Sequence, residues 1–224
     1  MALSKLTYNS LNVTATASKG IGFDSGADDL AATFSGGSMT FIKKITASAD
    51  STISFVDGTS DVVLDNTYKE YLFTYNNIHP ATSGVDFQFN LSVDSGSNYN
   101  VTKTSAGIRA FHGEDGSSSG LAYYDGTNAN TYDLAQSTSV QILFSGVNNN
   151  NDDSGSGILR VFEPSSTTFV KHYMTDSQFS HETPRSMRFL FGGYANTTSA
   201  VDAVQFSMSS GNIDAGDICL YGIN

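Results

Sequence analysis

The 224-residue chain has the length of one large domain or of a domain plus an arm. Its 11 Lys and Arg stand against 22 Asp and Glu, and the net charge of -11 argues against a nucleic-acid partner or an anionic membrane surface. The single Cys219 excludes an intrachain disulfide framework and a Cys-rich zinc site, and no apolar run is long enough to predict membrane insertion.

The composition favours strands over helices. About two fifths of the residues are Ser, Thr, Asn or Gly, which favour turns and compete with helical hydrogen bonding. The 15 Phe and 11 Tyr suit a pleated, half-buried surface. We therefore predict an all-β fold, an antiparallel β-sandwich of jelly-roll type with a short N-terminal arm.

Residues 1–38 differ from the rest of the chain. They are rich in small residues and carry isolated apolar side chains without a continuous period-two face. The stretch GADDLAATF, residues 26–34, predicts one short helix, because Asp28 and Asp29 suit a helix N-terminus. We expect residues 1–38 to be an attachment segment and residues 39–224 to be the folded domain.

The arm has too little apolar surface to fold alone, but it can become ordered along a partner surface. The side chains expected to contact that partner, as an added strand or in small pockets, are Leu3, Leu6, Tyr8, Leu11 and Val13. The alternative is that the arm supplies the first strand of the same sandwich. Deletion of residues 1–20 separates the two: an anchor leaves folding intact but abolishes attachment, whereas loss of a core strand causes precipitation.

From Met39 onward the apolar residues recur with a period of two. In VDFQFNLSV, residues 85–93, apolar and polar residues alternate, which predicts a strand with one dry and one wet face. Gly, Asn and Asp in the connections favour tight antiparallel turns. Further strands are predicted at 39–47, 51–56, 68–76, 106–112, 121–125, 139–145, 157–163, 168–174, 187–194, 203–208 and 217–223.

The run NNNNDDSGSG, residues 148–157, is the most polar local feature. Asp152 and Asp153 beside Asn side chains offer oxygen ligands of the kind that Ca²⁺ takes. The spacing lacks the alternating acidic pattern of a known calcium loop, and a polar hairpin loop in solvent explains the run equally well. We predict no metal site and no cofactor.

The four histidines, His79, His112, His172 and His181, are scattered along the chain. His112 with Glu114 and Asp115, or His181 with Glu182, could form acid–base pairs, but adjacent strand residues point to opposite faces. The chain contains no HExxH helix or phosphate-binding loop. We predict a protein that is not an enzyme and has no catalytic residues, with a carboxylate pair for polysaccharide hydrolysis as a remote alternative.

Tyr123 and Tyr124 with Asp125 and Asn128 form the aromatic and amide combination that binds sugars. The alternative is that one tyrosine packs inside and the other covers the rim, as strand alternation requires. Cys219 lies between Ile218 and Leu220 in an apolar last strand, and we predict that it is a buried small hydrophobic residue.

Three stretches, residues 22–82, 132–143 and 196–224, together resemble a family of structural proteins of tailed bacteriophages of marine bacteria, cyanophage-type viruses included. The most specific piece is the closing S-G-N-I-x-x-G-x-I-x-L-Y-G-I, residues 210–223. Such proteins are assigned to tail fibres, appendages or the capsid surface. The resemblance implies a virion component, a capsid decoration or tail-appendage subunit assembled in the host cytoplasm, whose partners are other virion proteins. It carries over no catalytic residues.

The strands MRFLFGGY and DICLYGI are apolar on both faces, more than one sandwich face requires. We therefore expect a homo-oligomer, with a homotrimer favoured. The alternative function is a carbohydrate-binding module that recognises host-surface glycans, for which the Tyr123 cluster is the motivating feature.

Overall fold

The computed structural model describes residues 19–23, 30–35, 38–123 and 132–224. Within these ranges every regular element is a β-strand and none is a helix, which confirms the all-β prediction. The strands are β1 Lys19–Phe23, β2 Leu30–Ser35, β3 Met39–Thr46, β4 Thr52–Val56, β5 Glu70–Pro80, β6 Val85–Ser92, β7 Lys103–Gly113, β8 Ser119–Tyr123, β9 Gln141–Val147, β10 Gly155–Phe162, β11 Lys171–His181, β12 Arg185–Ala195, β13 Ala203–Met208 and β14 Ile213–Ile223.

Two antiparallel sheets pack as a sandwich. The larger sheet has the strand order β3-β14-β5-β10-β11-β12-β7-β8, and the smaller has the order β4-β13-β6-β9. The antiparallel β-sandwich is therefore confirmed, whereas the jelly-roll connectivity stays a prediction. All twelve strands expected from period-two patterning are present in the described ranges, with ends that differ by a few residues.

The chain divides into two units, the first ending at Thr40 and the second comprising Phe41–Asn224. Strands β1 and β2 pair antiparallel in a two-stranded sheet of their own. The predicted helix at residues 26–34 is wrong where the structure describes it, because Leu30–Ser35 is a strand. Leu30, Ala32 and Phe34 alternate with period two, and pairing with β1 supplies the backbone hydrogen bonds. Asp28, Asp29 and the arm residues expected to contact a partner lie outside the described residues.

Aromatic rings fill the space between the two large sheets. Phe206 stacks on Phe87 with ring centroids 5.7 Å apart, and its edges meet Phe55 and Phe73 at 6.2 and 5.5 Å. Rings in such offset or edge-to-face pairs add about 0.5–1.5 kcal/mol beyond the area they bury. The prediction for Cys219 is confirmed, since it is buried in β14.

The polar face predicted for residues 85–93 is partly wrong. Asn90 and Ser92 are buried, because Asn90 lies under the chain that follows the strand: its Nδ2 donates to the carbonyl oxygens of Tyr99 at 2.6 Å and Thr138 at 3.1 Å. Val93, placed on the dry face, is exposed because β6 ends at Ser92. The polar side of this strand is therefore inside the protein at its C-terminal end.

Candidate functional site

The Asp152–Asp153 loop connects β9 to β10. It is closed by its own hydrogen bonds: Asp153 N–H donates to the Asn150 carbonyl at 2.9 Å, and Asn150 Nδ2 donates to Asp153 Oδ2 at 3.0 Å. Nδ1 of His79 lies 2.8 Å from the Asp153 carbonyl oxygen. Over residues 38–123 and 132–224, no three His, Cys, Asp or Glu side chains are grouped as a metal would require.

The histidines remain separate. His181 lies at the turn between β11 and β12, where Thr183 N–H donates to its Nδ1 at 3.0 Å, and burial lowers the pKa of its imidazole. The Glu182 carboxylate lies against Gly84 on another loop. His172 packs near Tyr194 on the neighbouring strand at 6.3 Å between ring centroids. The imidazole of His181 and the carboxylate of Glu182 therefore do not face one common site.

One predicted pair does share a surface. His112 and Glu114 line a shallow depression of about 520 Å³ together with Asp152. Arg185 is also in this lining, and its guanidinium lies over the Phe111 ring at 5.1 Å from the centroid. The depression is open to solvent.

Tyr123 is the one member of the predicted sugar cluster that the structure describes. It lies on β8, where 53% of it is exposed, and its hydroxyl donates to Asp133 Oδ2 at 3.4 Å. Tyr124, Asp125 and Asn128 lie outside the described residues. The cluster stays a prediction.

A second depression, of about 310 Å³, lies where the connection from β10 to β11 meets the segment before β5. Its most prominent side chain is Phe169, 66% of which is exposed. Polar side chains surround this ring. The lining consists of Asn66, Tyr68, Lys69, Glu163, Ser165, Ser166, Thr167, Thr168 and Phe169.

Hydrogen bonds within the β10–β11 connection fix its shape. The Ser166 hydroxyl oxygen accepts from the backbone N–H groups of Thr168 at 3.3 Å and Phe169 at 3.1 Å. The Ser166 N–H in turn donates to the Glu163 carbonyl at 3.0 Å. Glu163 has a φ of 42°, in the left-handed region that non-glycine residues rarely adopt. Its N–H donates to the Lys69 carbonyl at 2.8 Å, which joins the two segments that form the depression.

A buried lysine holds the end of this connection. Nζ of Lys171 donates to the carbonyl oxygens of Phe169 at 3.0 Å and Thr197 at 3.1 Å. The residue is fully buried, and this burial lowers the pKa of its ammonium group. The sequence pattern did not identify this site, because it predicts a strand over residues 168–174. In the structure β11 begins at Lys171, so Phe169 lies in the connection before the strand. The run EPSSTT before it was the available signal, since Pro and Ser favour turns.

The outer face of the large sheet carries a second exposed feature. Ile108 pairs with Tyr123 on one side and with Leu190 on the other, and Leu121 follows on β8. These residues, with Met174 on β11, alternate with the buried Phe189 and Phe191 and so point away from the sandwich interior. We call Ile108, Leu121, Tyr123, Met174 and Leu190 the outer apolar strip.

Comparison of the chain with protein-family models, curated proteins and solved structures gave no match. A helix long and apolar enough to cross a membrane is not found in the ranges that the structure describes.

Proposed function

We propose that this protein is a non-enzymatic structural subunit of a tailed-bacteriophage virion, exposed on the particle surface as a capsid decoration or tail-appendage subunit. The resemblance of residues 22–82, 132–143 and 196–224 to phage structural proteins supports the virion assignment. It is made in the host cytoplasm, and its partners are other virion proteins. Nucleic acid is not among its partners, because a net charge of -11 repels phosphate.

The observation that carries the structural role is the outer apolar strip. Leu121 is 73% exposed and Met174 is 56% exposed, although both are large apolar side chains on a regular sheet. Covering a side chain of this size completely is worth roughly 1.5–3 kcal/mol. Large apolar side chains exposed together on one sheet face favour a surface that binds another protein.

The occupant that we propose is another copy of the chain. The two edge strands of the large sheet, β3 and β8, each carry an exposed apolar side chain, Phe41 and Leu121. An unpaired strand edge is a template for a strand of another molecule. Contact between unlike edges of successive copies is heterologous, and a heterologous contact closes into a ring when the rotation between copies divides a full turn. We propose a ring of three, the homotrimer.

Quantitative mass spectrometry of purified virions tests the virion assignment. We expect peptides of this chain at a fixed stoichiometry to the major capsid protein, in a multiple of three copies. Particles that lack the chain after removal of loosely bound host protein would contradict the proposal. Electron cryomicroscopy of the same particles then assigns the subunit to the capsid, the neck or the tail.

A further inference from the structure

We propose that the depression around Phe169 is a carbohydrate-binding site whose ligand is a neutral hexopyranose residue of a surface glycan, stacked on the Phe169 ring. The inference goes beyond the structural role, since a subunit can assemble into a particle whether or not it binds sugar. It also assigns the site to a different part of the chain from the Tyr123 cluster.

The first argument is the exposure of Phe169. A phenyl ring that is 66% exposed leaves apolar area in water that no described residue covers. The face of an aromatic ring is complementary to the apolar C–H face of a pyranose, while the ring's surroundings contact the hydroxyl groups. Tyr68, packed edge-on against Tyr71 at 5.7 Å, adds a second aromatic ring to the lining.

The second argument is the kind of polar group around that ring. Asn66 presents an amide, which both donates and accepts hydrogen bonds, and Thr167 and Thr168 present hydroxyl groups. All three residues are exposed. Sugar hydroxyls also donate and accept, so they match such a set better than a ligand with acceptors alone does.

The third argument concerns charge. Lys69 and Glu163 form an ion pair, with Nζ 3.2 Å from Oε1, so the charges in the lining compensate each other. The chain as a whole carries a net charge of -11, which disfavours anionic saccharides by long-range repulsion. Both features favour a neutral sugar over a uronic or sialic acid.

The fourth argument is that the loop is organised before any ligand arrives. The Ser166 hydroxyl fixes the backbone at Thr168 and Phe169, and Lys171 fixes the Phe169 carbonyl from below. Burying the Lys171 ammonium group without a carboxylate partner costs free energy, which its hydrogen bonds to carbonyl oxygens partly offset. A loop fixed in this way loses little conformational entropy when a ligand binds, which favours affinity from a small contact area.

Saturation-transfer NMR and titration calorimetry with the full chain test the site. The probes are methyl α-D-glucopyranoside, methyl β-D-galactopyranoside and methyl α-D-mannopyranoside, with sodium glucuronate as the anionic comparison. We expect saturation transfer to the C–H protons of at least one neutral probe and none to glucuronate. Absence of transfer to all three neutral probes at millimolar concentration would overturn the inference, and so would preferential binding of glucuronate.

Three variants localise the binding. Phe169→Ala should weaken the affinity about tenfold or more, equivalent to about 1.4 kcal/mol, and Phe169→Trp should retain it. His112→Ala removes an exposed ring from the other depression and should leave the affinity unchanged. Because Phe169 is exposed, its replacement keeps the fold, which thermal unfolding of each variant checks. Unchanged affinity in Phe169→Ala, or loss of affinity in His112→Ala, would overturn the assignment.

Discussion

The ammonium group of Lys171 lies 3.0 Å from the carbonyl oxygen of Phe169, so a fully buried charge holds a largely exposed ring two residues away. The second acceptor is the carbonyl oxygen of Thr197, on the segment that follows β12. Both acceptors are main-chain carbonyl oxygens, so the position of each acceptor depends on the backbone and not on a side-chain conformation. The lysine therefore ties two connections together at one end of the sandwich.

Replacement of this lysine should separate loop order from global stability. Lys171→Met keeps most of the buried volume and removes the desolvation cost of the charge, but it also removes the donor to two carbonyl oxygens, so we expect a free energy of unfolding within about 2 kcal/mol of the wild type. The Phe169 amide should lose protection, because the connection is no longer held at its carbonyl. Native-state hydrogen exchange measures this, with the Tyr173 amide of β11 as an internal control. Unchanged protection at Phe169 would show that Lys171 does not order the loop.

Lys103 should make stability depend on pH. It is fully buried, with Nζ bonded to the Val101 carbonyl at 2.8 Å and to Asn90 Oδ1, and desolvation lowers its pKa from 10.5 to about 8. Between these pH values the unfolded chain binds more protons than the folded chain, so the free energy of unfolding rises with pH. Above about pH 10 the trend reverses, because burial raises the pKa of Tyr75 and Tyr173 and the unfolded tyrosines ionise first.

Urea unfolding at pH 7.5 and pH 9.5 checks this prediction. We expect the wild type to gain about 1–2 kcal/mol between the two values, and Lys103→Met to gain clearly less. The smaller slope in the variant assigns the effect to this residue, since the tyrosines are present in both proteins. Equal slopes in the two proteins would contradict the assignment to Lys103.

Two adjacent glycines on β12 should respond oppositely to alanine. A Cβ on Gly193 would lie 2.6 Å from the Tyr173 ring and 2.7 Å from the Thr104 carbonyl oxygen, whereas a Cβ on Gly192 meets nothing within 4 Å. We expect Gly193→Ala to cost about 1–3 kcal/mol through overpacking. Gly192→Ala should be neutral or stabilising by up to about 1 kcal/mol, because the unfolded chain loses freedom. Equal thermal midpoints for the two variants would refute the packing account of this strand.

Phe206 should be among the costliest residues to truncate. Its ring contacts those of Phe55, Phe73 and Phe87 from both sheets, and it is completely buried. Phe206→Ala should therefore cost about 3–5 kcal/mol in denaturant unfolding. Phe169→Ala, the same change at an exposed site, should change stability by about 0.5 kcal/mol or less. A loss below about 1 kcal/mol for Phe206→Ala would mean that this aromatic cluster is not the centre of the core.

Period-two alternation predicted the strands well because strands of a sandwich bury one face, and Phe87 and Phe89 show that pattern plainly. The helix prediction failed for Leu30–Ser35 because small residues fit a helix as well as a strand, and pairing with β1 decides the structure. Period-two alternation failed for Asn90, which is buried and accepts a hydrogen bond from Lys103 of the opposite sheet. Local pattern carries no information about such partners.

The candidate sites were harder to predict for the same reason. The Phe169 depression joins Lys69 to Glu163, residues far apart in the chain that meet because β5 and β10 pair. The predicted strand 168–174 begins three residues before β11, so it includes Phe169, which lies in the connection and is exposed. The polar run at residues 148–157, for which a polar hairpin loop was the alternative to a calcium site, is closed on itself by the hydrogen bond between Asn150 and Asp153.

Sedimentation velocity of the full chain tests most directly the central claim, that the outer apolar strip is a surface for association. At micromolar concentration we expect the wild type to sediment as a trimer and Leu121→Lys to sediment as a monomer. Thr183→Lys, which adds the same charge at an exposed turn, should remain trimeric. A wild type that stays strictly monomeric, or a Leu121→Lys variant that associates as the wild type does, would contradict the account.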